Sequence, residues 1–107
     1  MKILFDQGTP VPLRRHLTAH QVDMAYERGW SALSNGDLLM EAERDGYELL
    51  VTTDRNLRYQ QNLVTRQIAI VVLMSTLWLR IQRTLSPIQA VIDATVPGDY
   101  QEVPIPR

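Results

Sequence analysis

Strands that alternate with helices predict an α/β domain with a mostly parallel sheet, covered by helices on both faces. Three observations carry this. Ile68-Ala69-Ile70-Val71-Val72-Leu73 is apolar and β-branched without alternation, as in a strand buried on both faces. Two shorter apolar runs, Ile3-Leu4-Phe5 and Leu49-Leu50-Val51, break off into polar residues that include Asp6 and Asp54. Between the runs lie segments with helical spacing and helix-stop signals.

Lys2 to Asp6 is the first predicted strand, turned by Gln7-Gly8-Thr9-Pro10. Thr9 or Pro10 opens a helix, because proline is tolerated in the first turn, and Leu13 and Leu17 face its core. Val22, Met24 and Tyr26 alternate with polar or small residues and predict a second strand. Glu27 to Leu33 is a loop. Ser34-Asn35-Gly36-Asp37 starts a helix with Leu38, Leu39 and Ala42 inward, stopped at Gly46. The central strand, Glu48 to Thr53, follows. A short helix covers roughly Leu57 to Thr65, with Leu57, Leu63 and Val64 apolar.

After the Ile68–Leu73 strand, Ser75-Thr76 caps a helix carrying Trp78, Ile81 and Leu85. Ser86-Pro87 reads as an N-cap followed by an N1 proline, with Ile88, Val91, Ile92 and Thr95 at i, i+3, i+4, i+7. Pro97-Gly98 ends that helix. Tyr100 to Ile105 is the last strand, and Pro104 places it at a sheet edge.

At 107 residues the chain is one domain, and its 45% apolar content is enough for one core. A net charge of −1 makes no overall electrostatic case for nucleic acid, so such a role needs a local patch. The absence of cysteine excludes disulfides and zinc–thiolate sites. No charged, apolar leader opens the chain, and the Ile68–Met74 run is too short to span a bilayer. A cytoplasmic protein with no membrane association is expected.

Asp6, Asp37 and Asp54 are the candidate functional acids. Each has a structural role open to it. Ser34-x-x-Asp37 is close to a capping box, at the helix end where the macrodipole favours an acid. Asp54 could be an N-cap or an Asx-turn residue, and Asp6 likewise before Pro10. The functional case is joint. Ligands bind beyond the carboxyl ends of the strands of an open α/β sheet, and Asp6 and Asp54 both stand there. Crowded carboxylates are unfavourable unless a cation or shared protons offset them. A hard cation, Mg²⁺ or Mn²⁺, takes a few carboxylate oxygens and keeps several waters.

His16 and His20 are four apart, but Leu17 replaces the glutamate of the metalloprotease motif, and an end charge or cap is the simpler role. Arg55, Arg58 and Arg66 follow the central strand, and Arg80 and Arg83 follow the next. Together they predict a modest cationic rim suited to phosphates. Trp30 and Tyr59 are candidates for base stacking.

The opening Met1-Lys2-Ile3-Leu4-Phe5-Asp6, the block Leu33-Ser34-Asn35-Gly36-Asp37-Leu38-Leu39 and the block Val51-Thr52-Thr53-Asp54-Arg55-Asn56-Leu57 resemble the short single-domain PIN-like proteins, relatives of VapC-type toxins. The resemblance covers nearly the whole chain, 1–107. It implies a PIN-like three-layer α/β/α sandwich and an acidic pocket holding Mg²⁺ or Mn²⁺ through Asp6, Asp37 and Asp54. It also implies ribonuclease activity on RNA, an antitoxin protein as partner, and a second copy of the chain as another. By position, Asn56 matches the polar residue two beyond the third acid. In the implied mechanism Thr53 and Asn56 orient water or a phosphate oxygen, and Arg55 or Arg58 positions the strand. Two features depart from the pattern. Gln7 stands where many members have Glu, and Met74-Ser75-Thr76 lacks the further acid of typical PIN nucleases.

Two other readings fit parts of this pattern. A phospho-receiver also places acids after its first and third strands and a Ser or Thr after its fourth. It needs paired acids where Gln7 follows Asp6, and a lysine after the fifth strand, whereas Lys2 is the one lysine here. A catalytically inactive PIN-like binding module is compatible with the reduced acid set.

Overall fold

The computed structural model describes residues 1–60, 63 and 66–107, the side chains of 59 and 60 excepted. Five strands, β1 (Lys2–Phe5), β2 (Gln21–Met24), β3 (Leu49–Thr52), β4 (Ala69–Leu73) and β5 (Tyr100–Val103), form one sheet in the order β2-β1-β3-β4-β5. All four pairings are parallel. The helices are α1 (Asn35–Arg44), α2 (Leu57–Gln60), α3 (Trp78–Ile81) and α4 (Leu85–Asp93).

The strands bury both faces, so side-chain alternation sorts one apolar run into two cores. Ile3, Phe5, Leu49, Val51, Val71 and Leu73 pack on one face with Leu13, Leu17, Ile81, Ile88 and Ile92. Leu4, Leu50, Ile70 and Val72 pack on the other with Leu38, Leu39, Ala42 and Leu57. The result is a three-layer α/β/α sandwich. None of the helices among the described residues is long and apolar enough to cross a membrane.

The faces also reveal the winding. The β2–β3 connection (through α1) and the β3–β4 connection (through Leu57 and Leu63) cross the second face. The β4–β5 connection, through Ile81, Ile88 and Ile92, crosses the first face while moving in the same direction along the sheet. Its hand is therefore opposite to that of the other two, and parallel crossovers are almost always right-handed.

Several local expectations are corrected. The first helix is a 3-10 segment, Val11–His16, closed by three-residue bonds from the Leu13 N–H to Pro10 O and from the Leu17 N–H to Arg14 O, each at 3.2 Å. The second strand stops at Met24. Ala25–Arg28 turns as 3-10, and Tyr26 is exposed rather than alternating into a core. Ser86-Pro87 does not begin α4. The helix starts at Leu85 behind Thr84, and Pro87 lies within the first turn, where an amide has no intrahelical acceptor. Ser75 accepts from the Leu77 N–H at 3.1 Å and so caps the turn before α3, not the helix. The stretch predicted to continue α2 beyond Gln60 falls partly outside the described residues, as does Val64.

Ser34 caps α1 as predicted, accepting from the Asp37 N–H, and Gly46 leaves the helix at φ +83°. Just beyond, Tyr47 is almost fully buried, with its hydroxyl 2.6 Å from Asp23 Oδ2. Burial and the Asp23 carboxylate push this phenol up to about 12 from the usual 10. Its folded-state value is the higher one, so the stabilisation is complete below pH 10 and is lost as pH rises towards 12. Urea unfolding across that window is expected to show a loss of about 2 kcal/mol that Tyr47→Phe does not share. Equal pH slopes for the two proteins would refute this.

Candidate functional site at the carboxyl edge of the sheet

A parallel sheet brings all its strand ends to one edge, and the strand order reverses direction at β1 and β3, where ligands bind in open α/β sheets. Asp6 follows β1 and Asp54 lies two residues beyond β3. The loops behind these strands are interlocked. Val51 O accepts both the Asp6 N–H and the Thr9 hydroxyl, each at 2.9 Å. A Cβ on Gly8 would stand 2.6 Å from Thr53 Oγ1, so the loop after β1 lies directly against Thr53.

Thr52 joins the two acids. Its fully buried hydroxyl donates to Asp6 Oδ2 at 2.9 Å and accepts the Asp54 N–H at 3.0 Å. Asp6 Oδ1 accepts the Gln7 N–H at 2.8 Å. Asp54 Oδ1 accepts the Asn56 N–H at 2.9 Å, and Oδ2 accepts from Asn35 Nδ2 at 3.0 Å. Each carboxylate oxygen is thus oriented by one donor and keeps lone-pair capacity for another partner. Asn35, the first residue of α1, links that helix to the site.

Asp37 stands apart from this bridge. It is exposed in the first turn of α1, where its N–H donates to Ser34 Oγ at 3.3 Å. Among the described residues, no three His, Cys, Asp or Glu side chains gather so as to hold a metal ion. Two oriented carboxylates nevertheless fit the way Mg²⁺ binds, through one or two carboxylates with waters completing the octahedron.

The remaining candidates divide. Thr53 is half-buried, while Arg55 and Asn56 are exposed beyond Asp54. Arg55, Asn56 and Arg58 line a cleft of about 420 Å³ with Met74 and Glu102. Arg80 and Arg83, with Leu77, Trp78 and Leu79, line a second hollow of about 380 Å³ after β4. Arg66 is not part of this rim. It precedes the amino end of β4 and pairs with Glu43 at 2.9 Å. Trp30 is engaged edge-on with Tyr47 at 6.0 Å, with Arg28 over its ring at 4.8 Å. The Tyr59 side chain lies outside the described residues. His20 Nε2 meets Asp93 at 2.9 Å whereas the His16 ring lies 6.0 Å from Trp78, so the imidazoles serve different contacts.

Three residues of this edge escape the sequence reading: Thr52, Asn35 and Glu102. A hydroxyl that closes an apolar strand was a usable signal for Thr52. Glu102 lacks a partner at helical spacing, and its ion pair with Arg58, at 3.7 Å, comes from another element.

Thr52→Val keeps the shape but removes the bridge, leaving the Asp54 N–H without its acceptor and Asp6 Oδ2 without its donor. It is expected to lower stability by about 1–3 kcal/mol, with Thr52→Ser recovering most of it. Denaturant melts check this, and a valine variant as stable as wild type would refute the bridge.

Compared with protein-family models, curated proteins and solved structures, the chain gives no match.

Proposed function

We propose that the chain is a PIN-like, metal-dependent ribonuclease that hydrolyses RNA phosphodiesters at the carboxyl edge of its sheet. The observation that supports this best is the Thr52 hydroxyl, which donates to the Asp6 carboxylate and accepts the Asp54 backbone N–H, so that both acids are fixed at the edge where the strand order reverses. Asp6 and Asp54 would hold Mg²⁺ or Mn²⁺, with Asp37, exposed on α1, as the third acid. When bound, the ion lowers the pKa of a water and neutralises charge developing on the phosphoryl oxygens. The chain's residues do the rest. Thr52 and Asn35 orient the carboxylates. Thr53 and Asn56 orient water or a phosphate oxygen, and Arg55 and Arg58 position the RNA strand. An antitoxin partner belongs to the same family resemblance.

A receiver-like role is disfavoured by two observations. Lys2 lies at the amino end of β1, its ammonium bound to Asp45 O at 2.6 Å and over the Tyr47 ring at 4.4 Å. A doubly wound sheet of this order, with all crossovers right-handed, would carry the β4–β5 connection on the same face as the two before it, and here it crosses the other. The inactive binding module is the second reading, favoured by Gln7 and by the missing acid at Met74-Ser75-Thr76.

The direct test is a thermal melt with and without Mn²⁺. At a hundredfold excess over its dissociation constant, the ion is expected to stabilise the wild type by about 2.7 kcal/mol. Asp54→Asn is expected to abolish that gain. A gain that survives in the variant, or its absence from both proteins, would remove the metal site and leave the binding module.

A further inference from the structure

The two layers that cover the sheet differ in charge. On the first face, the segment from Met74 to Ile92 holds two arginines, Arg80 and Arg83, and no acid. The segment from Gln7 to Val22, on the same face, holds Arg14 and Arg15 and no acid either. The two segments meet where the His16 ring lies 6.0 Å from Trp78. On the second face, α1 carries Asp37, Glu41 and Glu43 against one arginine, Arg44. A net charge of −1 therefore conceals a cationic layer and an acidic one.

Within the cationic layer one spot is also apolar. Leu77, Trp78, Leu79, Arg80 and Arg83 line a hollow of about 380 Å³. Ile81 is fully buried, and Trp78 packs partly on the same core, while Leu77 and Leu79 stay 50% and 68% exposed. Scattered exposed leucines mean little, but an apolar patch rimmed by polar groups is the kind that partners cover. Arg80 and Arg83 are three apart across α3 and the 3-10 turn after it, so they share one side and repel each other. Arg14, Arg28, Arg44, Arg58 and Arg66 each have a carboxylate partner. Among the described residues, Arg80 and Arg83 have none.

An occupant that brings aliphatic side chains to the leucines and carboxylates to the guanidiniums satisfies both features. RNA supplies the charge without the apolar contact, and the one aromatic ring here is engaged with His16. Lying on an anionic membrane takes a continuous apolar helical face, and α3 spans Trp78–Ile81 only.

We propose that this hollow docks a protein partner through an acidic, leucine- or isoleucine-rich segment, the charge complement of this layer. Its aliphatic side chains pack on Leu77 and Leu79, and its carboxylates pair with Arg80 and Arg83. The surface uses neither the aspartates nor a metal, so it stands apart from the ribonuclease reading.

The test uses the full chain and two helical peptides with leucines along one face, flanked by glutamates in the first and by lysines in the second. The glutamate peptide is expected to bind with a micromolar Kd, at least about tenfold more tightly than the lysine peptide. Leu79→Ser and Arg83→Glu are each expected to weaken it about tenfold at unchanged melting temperature, since both side chains are exposed. Arg80→Glu combined with Arg83→Glu is expected to invert the preference in favour of the lysine peptide, which a misfolded variant would not do. No binding of the glutamate peptide at millimolar concentration, equal binding of both peptides, or binding unmoved by Leu79→Ser would overturn the proposal. Binding of single-stranded RNA or of phosphatidylglycerol vesicles that is lost in Leu79→Ser would also overturn it, assigning the surface to nucleic acid or to a membrane. Leu79→Ser is expected to keep the wild-type response to Mn²⁺, which separates this test from that of the metal site.

Discussion

Asp6→Asn is expected to reduce metal-dependent RNA cleavage by more than about 100-fold while the chain stays folded. Losing a group that only orients a metal ligand already costs about 10–100-fold, and Asp6 is proposed as a ligand itself. The change is small in volume, and the retained carbonyl oxygen can still accept the Gln7 N–H that Asp6 Oδ1 accepts at 2.8 Å. Only the second oxygen becomes an amide, facing the Thr52 hydroxyl now 2.9 Å away. That hydroxyl has lone pairs for both the new N–H and the Asp54 N–H and loses only the acceptor of its own proton, a cost of about 1–3 kcal/mol that a typical net stability of about 5–15 kcal/mol absorbs. The comparison is single-turnover cleavage of a mixed RNA in Mn²⁺, together with a thermal melt of both proteins. Cleavage of equal strength in the variant would identify a contaminating nuclease and sink the enzymatic reading. Absent cleavage in both would favour the binding module, in which the acid pair serves only to hold the loops together.

Phe5→Ala is expected to have the largest effect on stability, about 3–5 kcal/mol. Phe5 is the chain's one phenylalanine and is fully buried at the end of β1. It belongs to the core face built with Leu13, Val51 and Val71. The packed 3-10 segment and the central strands cannot collapse far enough to fill the void. Against a typical net stability of 5–15 kcal/mol, such a loss puts the variant close to unfolding at ordinary temperatures. A fall in melting temperature of more than about 10 °C follows. Phe5→Leu, which leaves a smaller cavity, is expected to be much milder. Phe5 also immediately precedes Asp6, so any residual fold of Phe5→Ala should respond more weakly to Mn²⁺ than the wild type. An alanine variant within about 1 kcal/mol of wild type would mean that β1 is not sealed at this end.

The sheet was legible in the sequence because its signals are local. Ile68 to Leu73 could not be other than a strand buried on both faces, and the structure buries every residue of β4. Ser34, Leu38, Leu39, Ala42 and Gly46 marked α1 from cap to stop, since each acts on its own backbone or one helical face. The placement of Asp6 and Asp54 at one edge followed from two strand ends and the parallel rule. Where two local signals competed, the boundaries moved. The first helix tightened into a 3-10 segment, and Thr84 displaced Ser86 as the start of α4 because α3 runs on into it.

Non-local partnerships belonged to the tertiary structure alone. Nothing in the spacing of Asn35 and Asp54 shows that an amide at the start of α1 meets a carboxylate after β3, nor that Thr52 turns its hydroxyl to Asp6, 46 residues away. The same holds for Glu102 with Arg58 and for Arg66 with Glu43, which set one arginine against the last strand and took the other off the rim. The winding of the β4–β5 connection was equally hidden. Hydrophobic periodicity tells a helix to cover the sheet without saying which face, and that choice comes from which core has room for Ile81, Ile88 and Ile92. Sequence alone determined the layers, the strands and the edge where chemistry could occur. Tertiary packing decided which polar atoms meet there, because hydrogen bonds between distant segments depend on strand order and register, and no residue carries these in its own neighbourhood.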